Sequence, residues 1–224
     1  MTDKRTAGDL DLGRMLHDLK APVRSMRAFA EALGEDYAEK LDAEGREYLG
    51  FIISGADDLR AKIEGISVYC KLDDQPVQIA SVDAVSIVAE AIEVAPATLS
   101  EDLEDQSSIV ETDSARLRIA LDAVIGNAVK FISPDSRPEV MVSVRVAGGS
   151  VVIAISDKGI GLAEKDWERA FEPFVCLNPA DEFSGAGMGL PIARRAMRQI
   201  GGDVRFVDAG GNGAAVEIVV GTAA

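Results

Sequence analysis

The feature that most limits how this chain can fold is an apolar seam near its start. Leu12, Leu16, Leu19, Val23, Met26, Ala30 and Leu33 follow one another at alternating steps of four and three, the spacing of a helix that packs along another helix. A second amphipathic run follows: Tyr48, Ile52, Gly55, Leu59, Ile63 and Ile66. Between them, "GEDYAEKLDAEG" carries charges, has glycine at both ends and reads as a turn region. Two helices joined this way form an antiparallel hairpin. One hairpin buries little alone, whereas two make a four-helix bundle. The seam therefore predicts a homodimer. The alternative is a hairpin packed on the rest of its own chain.

The helical pattern stops at "KLDDQPVQIASVD", where a proline appears and the period changes. Two domains are expected, residues 1–74 and 75–224. In the second, "DSARLRIALDAVIGNAVKFI" is a helix with Thr112 or Asp113 as N-cap and Leu117, Leu121, Val124, Ile125, Ala128 and Ile132 on one face. "EVMVSVRV" and "SVVIAIS" read as a β-hairpin. "GLPIARRAMRQIGG" is a helix with Leu190, Ala193, Met197 and Ile200 on one face and glycines at its end. "DVRFVD" and "AAVEIVV" are two strands around "AGGNG", and "ATLSEDLEDQSS" is an acidic connector. The fold class is α plus α/β: a helical hairpin, then a mixed sheet with helices on one face, an α/β sandwich.

Charge narrows the partners. The formal net charge is −15 and the pI about 4.5, which argues against nucleic acid and against anionic membrane, since both attract basic surfaces. Cys70 and Cys176 lie far apart with no metal-ligand spacing, which fits a reducing compartment. No signal-like segment and no membrane-length apolar run is visible. The expectation is a soluble cytoplasmic protein without membrane insertion, one that receives any transmembrane signal from another chain.

His17, in "MLHDLKAPVR", is the only histidine. It lies one residue past the seam position Leu16, a turn of roughly 100°, so it is expected to face solvent. Asp18 follows it and offers an acceptor that would hold one imidazole tautomer. Pro22 removes the backbone bond to the carbonyl of Asp18, a cost of about 3 kcal/mol inside a helix. A kink beside a solitary exposed histidine suggests that access to that side chain matters.

Three further stretches carry chemistry. "SDKGIG" (156–161) puts a carboxylate at a strand end, followed by glycines that let a flat ligand approach the backbone. "GAGMGL" (185–190) precedes a helix, where free N–H groups attract an anion. "GNAVKF" places Ala123, Asn127 and Lys130 along one helical face. There Asn127 could give an oxygen to Mg²⁺ and Lys130 a charge to phosphate. Each motif alone also fits ordinary turn glycines or a polar helix face. The dinucleotide fingerprint, the P-loop and the G-x-S-x-G elbow are absent.

Taken in order, "LHDLKAPVRSM", "LRIALDAVIGNAVKF", "SDKGIGL", "FEPF" and "GAGMGLPIARR" resemble the H, N, G1, F and G2 boxes of two-component sensor histidine kinases, over nearly the whole chain. The "HDLKAP" stretch is similar to the kinases found beside bacteriophytochromes. The resemblance implies a dimeric four-helix bundle carrying the phosphoacceptor, followed by a Bergerat-type (GHKL) ATP-binding sandwich. It implies that His17 attacks the γ-phosphate of ATP with Asp18 assisting. Asp157 would accept from the adenine amino group, and Gly159 and Gly161 would admit the base. Asn127 would coordinate Mg²⁺, and Lys130 would contact phosphate. Gly185, Gly187 and Gly189, with Leu190 after them, would form the hinge of a lid spanning about residues 176–186, with Phe171 and Phe174 packed near it. The implied partners are a second copy, a response-regulator receiver domain whose aspartate takes the phosphoryl group, and a separate sensor or upstream protein.

Two positions depart from the family pattern. Ala123 stands where a second N-box asparagine is usual, and Ala21 stands where phosphatase-competent members carry Thr or Asn. The first implies slower autophosphorylation, with Lys158 a candidate replacement charge; the second implies weak phosphatase activity. The same residues admit other readings. One is a histidine phosphotransferase or pseudokinase with a degenerate nucleotide domain. The others are a non-catalytic scaffold and a Bergerat-fold ATPase without a phosphoacceptor.

Overall fold

The computed structural model describes residues 12–93, 97–99, 108–133, 136–147, 149–178, 183 and 185–221. The chain divides into two compact units, residues 1–67 and 68–224.

The first unit is a helical hairpin. Helix α1 spans Leu12–Asp36, and α2, which starts in this unit, spans Ala43–Asp74. Asp42 starts α2 by accepting from the N–H of Gly45 at 2.8 Å, which satisfies one of the free donors of a helix start. Arg46 donates to the carbonyls of Ala38 and Leu41 and closes the turn. Across the hairpin, Arg27 Nε lies 3.0 Å from Asp57 Oδ1. The seam divides into two rows. Leu16, Val23 and Ala30 are buried, the first two in one cluster with Ala56 and Ile63 of α2. The alternate row, Leu12, Leu19, Met26 and Leu33, is exposed, as are Ile52 and Leu59 of α2. Pro22 sits inside α1 without ending it.

The second unit contains the end of α2 and an α/β sandwich. Its elements are β1 (Ala80–Asp83), α3 (Ala84–Ile92), β2 (Ala97–Leu99), β3 (Ile109–Thr112), α4 (Ser114–Lys130), β4 (Val140–Ala147), β5 (Ser150–Asp157), α5 (Gly189–Arg198), β6 (Asp203–Val207) and β7 (Ala215–Val220). The main sheet has the order β2-β4-β5-β7-β6. Only β2–β4 is parallel; the other pairs are antiparallel. Val142, Ile153, Ile155, Ile218 and Val220 of the sheet share one core with Val88 of α3, Leu117, Leu121 and Val124 of α4, and Ala193 and Met197 of α5. Along β4 the buried Val140, Val142 and Val144 alternate with the outward Met141, Ser143 and Arg145. Glu217, flanked by Ile218 and Val216 of the core, binds Arg145 and Arg205 instead.

Asp113 caps α4, accepting from the N–H groups of Ala115 and Arg116. Beside it the buried guanidinium of Arg116 donates to Asp113 Oδ2 at 2.6 Å, to Gln199 Oε1, and to the carbonyls of Leu72 and Gln75. Leu72 packs on Met188, Ile192 and Ala196. The end of α2 is thereby fixed to the sandwich.

The β1–β3 ribbon, β2 and α3 were not anticipated from sequence. "ASVD" is mostly exposed, so it lacks the apolar alternation that marks a strand. The acidic connector yields to β2 at 97–99, and its residues 100–107 lie outside the described ones. Ile132 falls past the end of α4, whose C-cap is Phe131.

Candidate active site

The site is assembled where three elements end. Helix α4 delivers Asn127 and Lys130 on its last turn. Phe131 stops that helix: its N–H donates to Asn127 O at 3.0 Å and its carbonyl accepts from Ile160 N at 3.0 Å. The second bond lays the 157–161 loop against the helix end. Gly159 is required there, because a Cβ would fall 2.1 Å from the Phe131 carbonyl oxygen.

Asp157 ends β5. Its Oδ1 accepts from Gly159 N at 2.8 Å and from Ala214 N at 3.1 Å. Its Oδ2 has no protein partner among the described residues. Burial pushes its pKa above the ordinary carboxylate range, against the opposite pull of those two N–H groups.

The third element is the approach to α5. The chain reaches Gly189 through Gly187, whose φ is +65° and whose position leaves no room for a side chain beside Phe174 and Val175. Gly187 O accepts from Phe174 N at 3.0 Å. Phe174 has φ +67°, the one left-handed non-glycine among the described residues, while its side chain is half-exposed.

These ends enclose a cavity of about 230 Å³. Of the residues expected from sequence, Asn127, Lys130, Asp157, Gly161, Gly187, Gly189 and Leu190 line it. Gly159 supports it from behind. Gly185 lies at its edge, where an added Cβ would fall 2.5 Å from Lys130 Nζ. Phe171 is buried away from the opening, 5.6 Å from the Phe206 ring and under the Arg194 guanidinium. Phe131, Cys176, Phe183, Phe206 and Ala214 also line the cavity and were not singled out by sequence reading. Phe131 carried a signal as the last residue of "GNAVKF", and Cys176 and Phe183 fall within the 176–186 span that the resemblance marked as a lid.

Lys130 sits with its ammonium 4.6 Å from the Phe131 ring centroid. Burial lowers its pKa, while Cys176 raises it. Among the described residues it has no carboxylate partner. Ala123 is partly buried against the core, its Cβ 3.9 Å from where a side chain on Gly189 would begin. Lys158 does not face the cavity. It is exposed and pairs with Glu139, and it is not among the residues that line the cavity.

In the hairpin unit, His17 is 81% exposed and Asp18 69%. His17 Nδ1 lies 3.4 Å from Asp18 Oδ1. One turn on, Ala21 O accepts from Ser25 Oγ at 3.2 Å. Among the described residues no group of three or more His, Cys, Asp or Glu is placed to hold a metal.

Residues 112–223, from the last residue of β3 through β7, match the family described as histidine kinase-, DNA gyrase B- and HSP90-like ATPase. The chain belongs to that family. Within it, the similarity is to the catalytic cores of sensor histidine kinases. Phytochrome-like protein Cph1 of Synechocystis is 28% identical over 187 residues, which cover 80% of this chain and 24% of that protein. Sensor-like histidine kinase SenX3 of Mycolicibacterium smegmatis is 31% identical over 219 residues, 88% of this chain and 53% of that one. The chain thus spans about a quarter to a half of the length of these curated relatives. The full-length ShkA crystal structure in complex with AMPPNP aligns with a TM-score of 0.65 at 24% identity, covering 93% of this chain and 45% of that one. That likeness concerns the fold. No helix among the described residues is long and apolar enough to cross a membrane.

Proposed function

We propose that the protein is an ATP-dependent protein-histidine kinase that phosphorylates its own His17 and passes the phosphoryl group to an aspartate of a response-regulator receiver domain. One observation carries this reading. The single histidine is almost fully exposed, with a carboxylate beside it, in a chain whose other unit is an ATP-family fold with a built cavity.

In this reading Asp157 Oδ2 accepts from the adenine amino group, and its Oδ1 is held by two backbone donors so that the free oxygen is aimed. Gly161 lets the backbone lie against the base. Lys130, which has no carboxylate partner among the described residues, compensates phosphate charge, and the N–H groups of 185–190 at the start of α5 add to it. The side chain of Asn127 has no hydrogen-bond partner among the described residues and faces the cavity. A single neutral oxygen suits Mg²⁺, which takes most of its ligands from water and phosphate. Bound there, Mg²⁺ would offset the charge on the phosphates. Asp18 accepts from Nδ1–H of His17 and so keeps Nε2 free. Nε2 attacks the γ-phosphorus, an N–P bond forms, the bond to the β-phosphate oxygen breaks, and ADP leaves.

The exposed row Leu12, Leu19, Met26 and Leu33, with Ile52 and Leu59, supports a homodimeric four-helix bundle as the form of the hairpin. The domain roles follow: residues 1–74 dimerise and carry the phosphoacceptor, and residues 75–224 bind ATP. A cytoplasmic location and an input from a separate sensor or upstream protein complete the proposal.

The test is incubation with γ-labelled ATP and Mg²⁺. Acid-labile label on the wild type and none on His17→Gln supports the kinase. A second reading, a histidine phosphotransferase or pseudokinase, is favoured by Ala123 alone. It predicts no label from ATP and label only from a phosphorylated receiver domain.

A further inference from the structure

The floor of the cavity is a row of side chains across three neighbouring strands. Ile155 of β5 pairs with Val216 of β7, and Val216 pairs with Phe206 of β6. All three line the cavity. The row begins two residues before Asp157, on the same face of β5. It ends at Phe206, because β6 is the edge of the sheet. With neighbouring strands about 4.8 Å apart, Phe206 stands roughly 10 Å across the floor from Ile155.

Among the described residues no strand lies beyond β6 to hold the Phe206 ring. Other rings hold it. Trp167, the only tryptophan of the chain, stacks on it with centroids 6.1 Å apart and planes 21° apart. Phe171 meets it edge-on, at 5.6 Å and 61°. Both are favourable aromatic geometries. The supporting rings are themselves fixed. Trp167 Nε1 donates to the carbonyl of Leu162 at 3.1 Å, which ties its ring to the residue after Gly161. Phe171 is covered by the Arg194 guanidinium, 4.4 Å from its centroid, and Arg194 is held by Glu168 at 2.7 Å and by Asp203 at 3.0 Å. Phe206 is only partly buried, on the margin of the core, so core packing alone does not account for this bracing.

We propose that Phe206 is a specificity-determining residue of the nucleotide site: its braced ring closes the floor beyond Asp157 and restricts the site to purines whose 6-amino group carries no bulky substituent. This rests on the nucleotide reading of the cavity and adds to it what limits the size of the base. An adenine with one amino hydrogen replaced by an alkyl group still has an N–H to give to Asp157 Oδ2. Such a base fails for want of room and not for want of a hydrogen bond. A ring locked between two others cannot shift to admit it, and forced overpacking is costly.

The experiment measures, on the full chain with Mg²⁺, the affinities of ADP and of N6-benzyl-ADP by calorimetry. Wild type is expected to bind ADP, and to bind N6-benzyl-ADP at least roughly tenfold more weakly. Phe206→Ala is expected to move the two in opposite directions. ADP weakens about three- to tenfold through loss of a wall contact, while N6-benzyl-ADP binds at least about tenfold tighter than to wild type, its benzyl ring filling the vacated space. A merely structural role for Phe206 would weaken both together. Phe206→Val replaces the alanine variant if the latter fails to fold, with the same signs. A wild type that binds both nucleotides alike would overturn the proposal. So would a Phe206→Ala protein in which the two affinities fall together, or in which N6-benzyl-ADP binds no better than to wild type. A wild type that binds ADP but forms no phosphohistidine from ATP overturns the kinase reading alone, and the two affinities still decide the role of Phe206. A wild type that binds no nucleotide overturns both.

Discussion

In the sandwich, the apolar side chains of β4, β5 and β7 are covered by α3, α4 and α5 of the same chain. In the hairpin, half of an equally regular apolar pattern is left bare: Leu16, Val23 and Ala30 are buried while Leu12, Leu19, Met26 and Leu33 are not. One unit completes its own core and encloses a cavity. The other leaves one apolar row exposed and presents its histidine on the outside. The contrast suits the proposed division of labour. A nucleotide site depends on groups fixed by a finished core, whereas a phosphoacceptor must be reached by two partners in turn, ATP and a receiver domain.

The comparison can be broken first at Arg116. If the sandwich is self-sufficient, removing a deeply buried charge from it should damage it alone. Arg116→Ala strands Asp113, and about 3–5 kcal/mol of stability should be lost, read as a fall in the denaturant midpoint of the sandwich transition. An unchanged midpoint would mean that the clamp on Leu72 and Gln75 carries little weight.

The hairpin should respond differently. Met26→Glu, on the bare row, is expected to shift sedimentation from dimer to monomer by about 2–3 kcal/mol per buried side chain, with AMPPNP affinity retained. Val23→Glu, on the buried row, should instead melt the hairpin. If the two variants behaved alike, the division of the seam into two rows would lose its meaning.

A smaller effect is expected from Asp157→Asn. The amide oxygen can still accept from Gly159 and Ala214, but the aimed position then holds an NH₂ donor that faces the adenine amino donor, and nucleotide affinity should fall roughly tenfold to a hundredfold. The pH dependence follows with its sign. Burial raises the Asp157 pKa, so on acidification this carboxylate takes up a proton before ordinary ones do. Nucleotide affinity should therefore begin to fall above the usual carboxylate range and level off at higher pH. Asp157→Asn should flatten that part of the profile. A wild-type profile flat down to the ordinary carboxylate range would contradict the role given to Asp157.

Much of this organisation is visible in the sequence, for physical reasons. A heptad repeat sums over many residues, so both helices could be read from their spacing. The place of His17 off the seam follows from one step of helical rotation. Asp157 was legible because a carboxylate at a strand end followed by spaced glycines limits what the backbone there can do. Other features left no local trace. Which half of the seam is covered depends on how two helices face one another. The β1–β3 ribbon is short and exposed, with too little alternation to register. Phe183 stands in a polar stretch of sequence, and its contact with Phe131, far away in sequence, left no local trace. Lys158 shows the reverse: adjacent in sequence to Asp157, it pairs with Glu139 and does not line the cavity.

The central claim is that the sandwich supplies a phosphoryl group and the hairpin's single histidine receives it. Its most direct test is to map the modified residue. The wild-type chain would be incubated with ATP and Mg²⁺, digested at alkaline pH where phosphoramidates survive, and sequenced by electron-transfer fragmentation. The account predicts one phosphoryl group, on His17. A phosphoryl group on another residue, or an unmodified His17 in a chain that demonstrably binds AMPPNP, would contradict it.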